Sequence, residues 1–117
     1  MSESDRDELI DAYFDAMDAD DLGIVRPALA EGFVYESLDG DLEGFGGLET
    51  YMNELRGLSE TVHEVTLRVH GEVASVAEGT VTGESGDGTV EAEFCNVFEF
   101  DEDEEGITRL AVYLNDS

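Results

Sequence analysis

The sequence predicts an α+β fold, helices first and a mostly antiparallel sheet after them. Two observations carry this. Apolar residues recur mainly at helical spacing as far as Gly57, then at a spacing of two from Thr61 onward. Short turns rich in Gly and Asp separate the later segments, which suits hairpins. The 117 residues are predicted to form a single domain, 1–117, with no internal repeat or linker. A chain of that size buries roughly two-thirds of its unfolded surface.

The first helix is predicted over 4–18, where Leu9, Ile10, Tyr13, Phe14 and Met17 share one face and acids occupy the other. Ser4 and Asp7 supply its cap, and the acids of its first turn suit the positive helix end. A second helix is expected after Asp20 or Asp21, with Leu22, Val25 and Leu29 inward. Pro27 would kink or divide it and Gly32 would end it. Phe33 to Leu38 reads as a short strand and 39–47 as a loop. A third helix follows Gly47, with Leu48, Tyr51, Met52 and Leu55 on one face and Gly57 at its end.

Four long strands are expected at Thr61–His70, Glu72–Glu84, Thr89–Phe100 and Ile107–Asn115. Their connections at 70–71, 85–88 and 101–106 predict a strongly curved antiparallel meander. The acidic run at 101–105 lacks the spaced ligands, central Gly and terminal Glu of a calcium loop, so it reads as a solvated turn.

Charge is the outlying property. There are 31 acidic residues against five arginines and no lysine, a net charge of -26. Regularly spaced Leu, Val, Ile, Phe and Tyr argue against the disorder such a charge otherwise implies. Carboxylates hold water and cations, and salt screens their repulsion, so the composition predicts a halophilic protein in a salty cytoplasm. A basic partner is the alternative. Nucleic acid is not expected, because a polyanion would be repelled. The acidic start MSESDRDE and the lack of a run of about 18 apolar residues predict a soluble cytoplasmic protein with no membrane partner. The lone Cys95 lies in an apolar segment and reads as a buried structural thiol.

Several words of the sequence, in this order, resemble the nuclear-transport-factor-2-like superfamily, in its polyketide-cyclase (SnoaL-like) and ketosteroid-isomerase branches. AYFDAMDADDLGIVRPALAEGFVYES is similar to that family's tyrosine-bearing helix, acidic word and lone strand. GGLETYMNEL is similar to its third helix, DGTVEAEFCNVFEF to its pocket strand, and GITRLAVYLND to its closing strand. The resemblance implies a cone: helices packed in a strongly curved sheet that encloses a pocket at its wide end. It also implies a small apolar ligand, no cofactor, and a homodimer formed through the sheet, where Arg68, Arg109 and Tyr113 could lie. A pocket open at one end is the default ligand site. Its expected lining is Phe33, Tyr35 and Ser37, then Tyr51, Met52 and Leu55, then Phe94, Phe98, Leu110 and Val112.

The same resemblance places Tyr13 and Asn96 where the isomerases hold the substrate oxygen with a phenol and a protonated carboxyl. An amide can donate the same hydrogen bond. Each is also readable as a satisfied core residue, and for Tyr13 that is the favoured reading. The isomerase base would fall at Ser37, a neutral side chain that cannot abstract a proton at neutral pH without an activating partner. Glu36 adjoins it but should face the other way on a strand. Near the chain end, Asn115 stands in place of a cyclase acid, with Asp116 beside it. His63, sharing a face with Val65, Leu67 and Val69, is a candidate acid or base or a hydrogen-bonded core residue. His70 borders a turn and is expected to be exposed. No metal site is expected, since zinc needs three or four convergent ligands. The function read here is a pocket domain for a small apolar ligand, either an isomerase or cyclase moving a proton on a carbonyl compound or a non-catalytic binding or dimerisation module.

Overall fold

The computed structural model describes residues 3–37, 40–51, 59–101 and 106–115. Helix α1, Glu3–Ala19, buries Ile10, Tyr13, Phe14 and Met17 on the face its spacing predicts. It ends at Asp20, whose φ of 54° is the left-handed stop usually given to Gly or Asn. Asp21 N–H closes the end by donating to Ala16 O at 3.0 Å.

The expected second helix does not form. Turns closed by Leu22 O lead into a single 3-10 turn, Arg26–Ala28, and Leu29 already begins strand β1. Pro27 lacks the N–H a continuing helix needs and sits at the start of the 3-10 turn, where none is required. Val25 and Ala28 are still buried, as the inward spacing implies for Val25. Gly32 ends no helix. It lies inside β1, Leu29–Ser37, with φ of 81°, where the pairing register shifts between Leu29 and Val34.

The loop expected at 39–47 is also corrected. From its second residue on it holds β2, Gly40–Glu43, antiparallel to β1, and helix α2, Gly44–Thr50, starts earlier than Gly47. The meander follows as β3, Ser59–His70; β4, Ala74–Ser85; β5, Gly88–Phe100; and β6, Ile107–Asn115. Strand order is β2-β1-β6-β5-β4-β3, antiparallel except where β1 and β6 run parallel. The result is an α+β fold with two helices packed against a curved, six-stranded sheet that does not close. Among the described residues no helix is long and apolar enough to cross a membrane.

Strand β3 departs from simple alternation. Its register with β4 shifts between Val65 and Leu67, opposite Gly79. A Cβ on Gly79 would lie 1.9 Å from Glu64 O, so only glycine allows the strands to approach there. The bulge inverts the faces. Thr61 is buried and His63 and Val65 are partly so. Beyond the bulge Leu67 and Val69 are half exposed outside, while Arg68 and His70 reach α1.

Candidate functional site: the inner face of the sheet

Alternation on β5 sends Ala92, Phe94, Asn96 and Phe98 inward, all buried, and leaves Glu91 and Glu93 exposed outside. Buried Leu110 and half-buried Val112 of β6 continue this face, opposite Phe98 and Asn96 respectively. Phe33 and Tyr35 of β1 complete it, with Tyr35 beside Leu110. Rings from α1 cover the middle. Phe14 lies 5.2 Å from Phe94 and 6.1 Å from Phe98, and Tyr13 lies 5.8 Å from Phe98. Ser37, Met52 and Leu55 were expected in this lining, but their side chains lie outside the described residues, as do those of Asn115 and Asp116.

Three phenols meet at one end. Tyr35 is hydrogen-bonded to both Tyr13 and Tyr51, and its ring is 4.8 Å from that of Tyr51. Burial, reinforced by the two neighbouring phenols, pushes its pKa well above the ordinary tyrosine value. Tyr35 therefore stays a neutral donor.

Asn96 is 2 % exposed, and its Oδ1 has no hydrogen-bond partner among the described residues. An unsatisfied buried polar atom costs about 1–3 kcal/mol. Tyr13 turns its hydroxyl toward Tyr35 and does not satisfy it. Tyr13 and Asn96 thus share the inner face without bonding each other.

A second polar group sits toward the C-terminal end of α1. His63 Nδ1 is 2.5 Å from Asp18 Oδ1, and Asp18 Oδ2 accepts the His63 backbone N–H at 2.9 Å. Thr61 Oγ1 lies 3.1 Å from Asp18 Oδ1 and 3.3 Å from Met17 O. The imidazole packs against both Phe14 and Phe94, with ring centroids at 5.2 and 5.4 Å, and the two phenylalanines also touch each other. Through β4, His63 aligns with Ala92, four positions along β5 from Asn96. At about 3.3 Å per strand residue, that is roughly 13 Å between the two rows. The groups named from sequence therefore form two separate centres with phenylalanines between them.

Glu36 belongs to neither. It lies on the outer face, where Arg109 Nε and Nη2 donate to its two oxygens at 2.7 and 2.8 Å. Arg109 also pairs with Glu99, so its guanidinium spans three adjacent strands. The hydrogen bonds from Arg109 hold the Glu36 carboxyl below the usual glutamate range. Arg109 and Tyr113 stand outside as expected, but Arg68 does not. It pairs with Asp7 and Asp11 of α1 at 3.1 and 2.5 Å.

His70 is not exposed either. Its Nδ1 is 2.7 Å from Ser75 Oγ and its Nε2 is 3.2 Å from Asp7. Cys95 is only half-buried and lies on the outer face opposite Tyr113, not in the core. Two contributors were missed from sequence. Asp18 is one; an acid in the last turn opposes the helix dipole, which was its only signal. Arg6 is the other. It is buried, with Nη1 donating to Gly71 O at 2.6 Å and Nη2 to Glu72 O at 3.0 Å, and it stacks on Phe100.

A helix laid in an open curved sheet, with rings, phenols and one amide turned inward, defines a class of small one-sheet domains. The SnoaL-like domain model matches residues 10–110, and the chain belongs to that family. No curated protein matches the chain. Among solved structures it is similar to a nuclear-transport-factor-2-like protein from Burkholderia pseudomallei, at 16% identity and a TM-score of 0.84, covering 98% of this chain and 92% of that one. It is also similar to an epoxide hydrolase from M. tuberculosis, at 22% identity and a TM-score of 0.77, covering 96% and 84%. A third similar structure, assigned as a SnoaL-like polyketide cyclase from Shewanella denitrificans, has 12% identity and a TM-score of 0.79, covering 93% and 89%. At these identities the likeness is one of fold.

Proposed function

We propose that the chain binds a small apolar carbonyl or enol compound on the inner face of its sheet, as one domain acting in solution. The unsatisfied Oδ1 of Asn96, inside a stripe of Phe94, Phe98, Leu110 and Val112, carries this reading. A ligand hydroxyl would satisfy that oxygen, and the amide turned the other way would donate to a carbonyl. The phenols of Tyr13, Tyr35 and Tyr51 add polar groups at one end, and the rings supply apolar contact. The isomerase or cyclase reading needs a base as well. Glu36 is committed to Arg109 on the other face, and the position of Ser37 carries no acid, which favours binding over turnover at this end of the sheet.

The test is a thermal-shift and calorimetric survey of ring-bearing ketones and enols against wild type, Tyr13→Phe and Asn96→Leu. Hits should bind Asn96→Leu at least tenfold more weakly, while unliganded Asn96→Leu melts higher than wild type because the orphaned oxygen is gone. Equal affinity for all three proteins would remove the proposal.

A second reading, pairing of two copies through the outer face, is favoured by one row of side chains. Val69, Val76 and Val97 are successive cross-strand neighbours there, flanked by half-exposed Leu67 and Tyr113. Light scattering in molar KCl should give twice the chain mass, and Val97→Glu should give the monomer. A wild-type monomer at all salt concentrations would reject it.

A further inference from the structure

We infer that Asp18 and His63 form a proton-transfer pair, with His63 the group that exchanges the proton and Asp18 a positioning residue that fixes its tautomer. The inference rests on the reading that ligands occupy the inner face, and it assigns the base that β1 does not provide. Its basis is the geometry at the end of α1. A carboxylate only accepts hydrogen bonds, so the imidazole nitrogen 2.5 Å from Asp18 Oδ1 is the one carrying hydrogen. In the neutral ring that puts the lone pair on Nε2. Asp18 is itself held, because its other oxygen takes the His63 backbone N–H and the Thr61 hydroxyl lies beside Oδ1. The pair cannot rotate freely without breaking those contacts.

Asp18 is also an expensive residue to keep where it stands. It lies in the last turn of α1, where the exposed carbonyls already carry partial negative charge. The donors from β3 offset that cost. Phe14 and Phe94 pack against the ring and cover part of it, which strengthens the Asp18 interaction. Asp18, His63 and Thr61 together have the parts of a base oriented by a carboxylate. They stand roughly 13 Å from the Asn96 row by strand spacing. A ligand using both centres therefore carries more than one ring.

Two measurements test the inference without knowing the natural ligand. The first is nitrogen-15 NMR of the imidazoles. Wild type should show the Nδ1–H tautomer at His63 with a downfield hydrogen-bonded proton, and Asp18→Asn should lose that signal with its fold unchanged by circular dichroism. The second is elimination of 5-nitrobenzisoxazole, an apolar two-ring probe. His63 takes the ring C–H proton, the C–H electron pair completes the nitrile, and the N–O bond breaks to release a phenolate.

Wild type should exceed the same concentration of free imidazole by a hundredfold or more, and His63→Gln should fall to background. Asp18→Asn should lose at least tenfold in kcat with KM changed less than twofold, and Asp18→Glu should recover part of the loss. An Nε2–H tautomer in wild type, or Asp18→Asn eliminating at the wild-type rate, would overturn the pair. Equal ketone affinity of wild type, Tyr13→Phe and Asn96→Leu, with elimination intact, would instead reject the phenol–amide site and leave the pair standing.

Discussion

Arg109 grips both oxygens of Glu36 across the parallel β6–β1 pair, while Tyr35, one residue earlier, turns to the opposite face against Leu110. Neighbouring side chains on one strand thus divide between an outer ion-pair cluster and the inner phenol chain. The cluster has a definite pH signature. Arg109 lowers the Glu36 pKa in the folded state, so its contribution to stability is present above the unfolded value, about 4.3 for glutamate, and is lost as pH falls through the folded value. Glu36→Gln should therefore lower the melting temperature at pH 7, and the gap to wild type should narrow below about pH 4. A gap that stayed constant down to pH 2 would mean the carboxylate charge contributes nothing.

Tyr35 reports at the other end of the scale. Its pKa is raised by burial beside two phenols, so the folded state resists its ionisation. A group raised in the fold stabilises below its unfolded value, near 10 for tyrosine, and loses that contribution as pH rises toward the folded one. Absorbance titration at alkaline pH should show one tyrosine ionising only together with unfolding, and Tyr35→Phe should abolish that late step. If the late step survives in Tyr35→Phe, the buried phenol is a different one.

Much of this was legible in the sequence because a period of two survives on a long strand. Alternation puts Ala92, Phe94, Asn96, Phe98 and Phe100 on one face; the first four are buried, and Phe100, past a register shift, is half-buried. The same rule failed on β3, where nothing in Glu64–Val65–Thr66–Leu67 announces a bulge. The clue stood on another strand, in Gly79, and its meaning depends on a pairing that only the fold supplies. The second helix was misread because Leu22, Val25 and Leu29 fit helical spacing, whereas Pro27 and the pairing of Leu29 with Ile107 decide the outcome. The contact of Asp18 with His63 spans 45 positions of sequence and could not be read from either neighbourhood.

The bulge itself can be tested through Gly79. An alanine there would press its Cβ onto the Glu64 carbonyl, a backbone atom with no flexible side chain to give way. β3 would have to move outward, drawing Arg68 from Asp7 and Asp11. Gly79→Ala should cost about 3 kcal/mol, the upper part of the range for overpacking, in urea unfolding in molar KCl. A loss below about 0.5 kcal/mol, the scale of an ordinary surface change, would show that the strands do not approach so closely.

Salt should be a condition of folding, not a modifier of it. The inner positions of β4 and β5, from Ser75 through Val81 and from Ala92 through Phe98, carry no carboxylate, while Glu78, Glu84, Glu91 and Glu93 stand exposed on the outside. The share of the net charge of -26 that these strands carry is therefore on solvent-facing ground, where repulsion is long-ranged in dilute buffer. The Debye length falls from about 10 Å at 0.1 M to 3 Å at 1 M, which removes repulsion between all but adjacent carboxylates. Unfolding by urea, which adds no ions of its own, should give a midpoint that climbs steadily as KCl is raised from 0.1 M to 3 M. A variant with six outward acids changed to their amides should start from a higher midpoint in dilute buffer and climb less with KCl than wild type. If wild type were equally stable at both salt concentrations, the acidity would need another explanation, and a basic partner would be the one to seek.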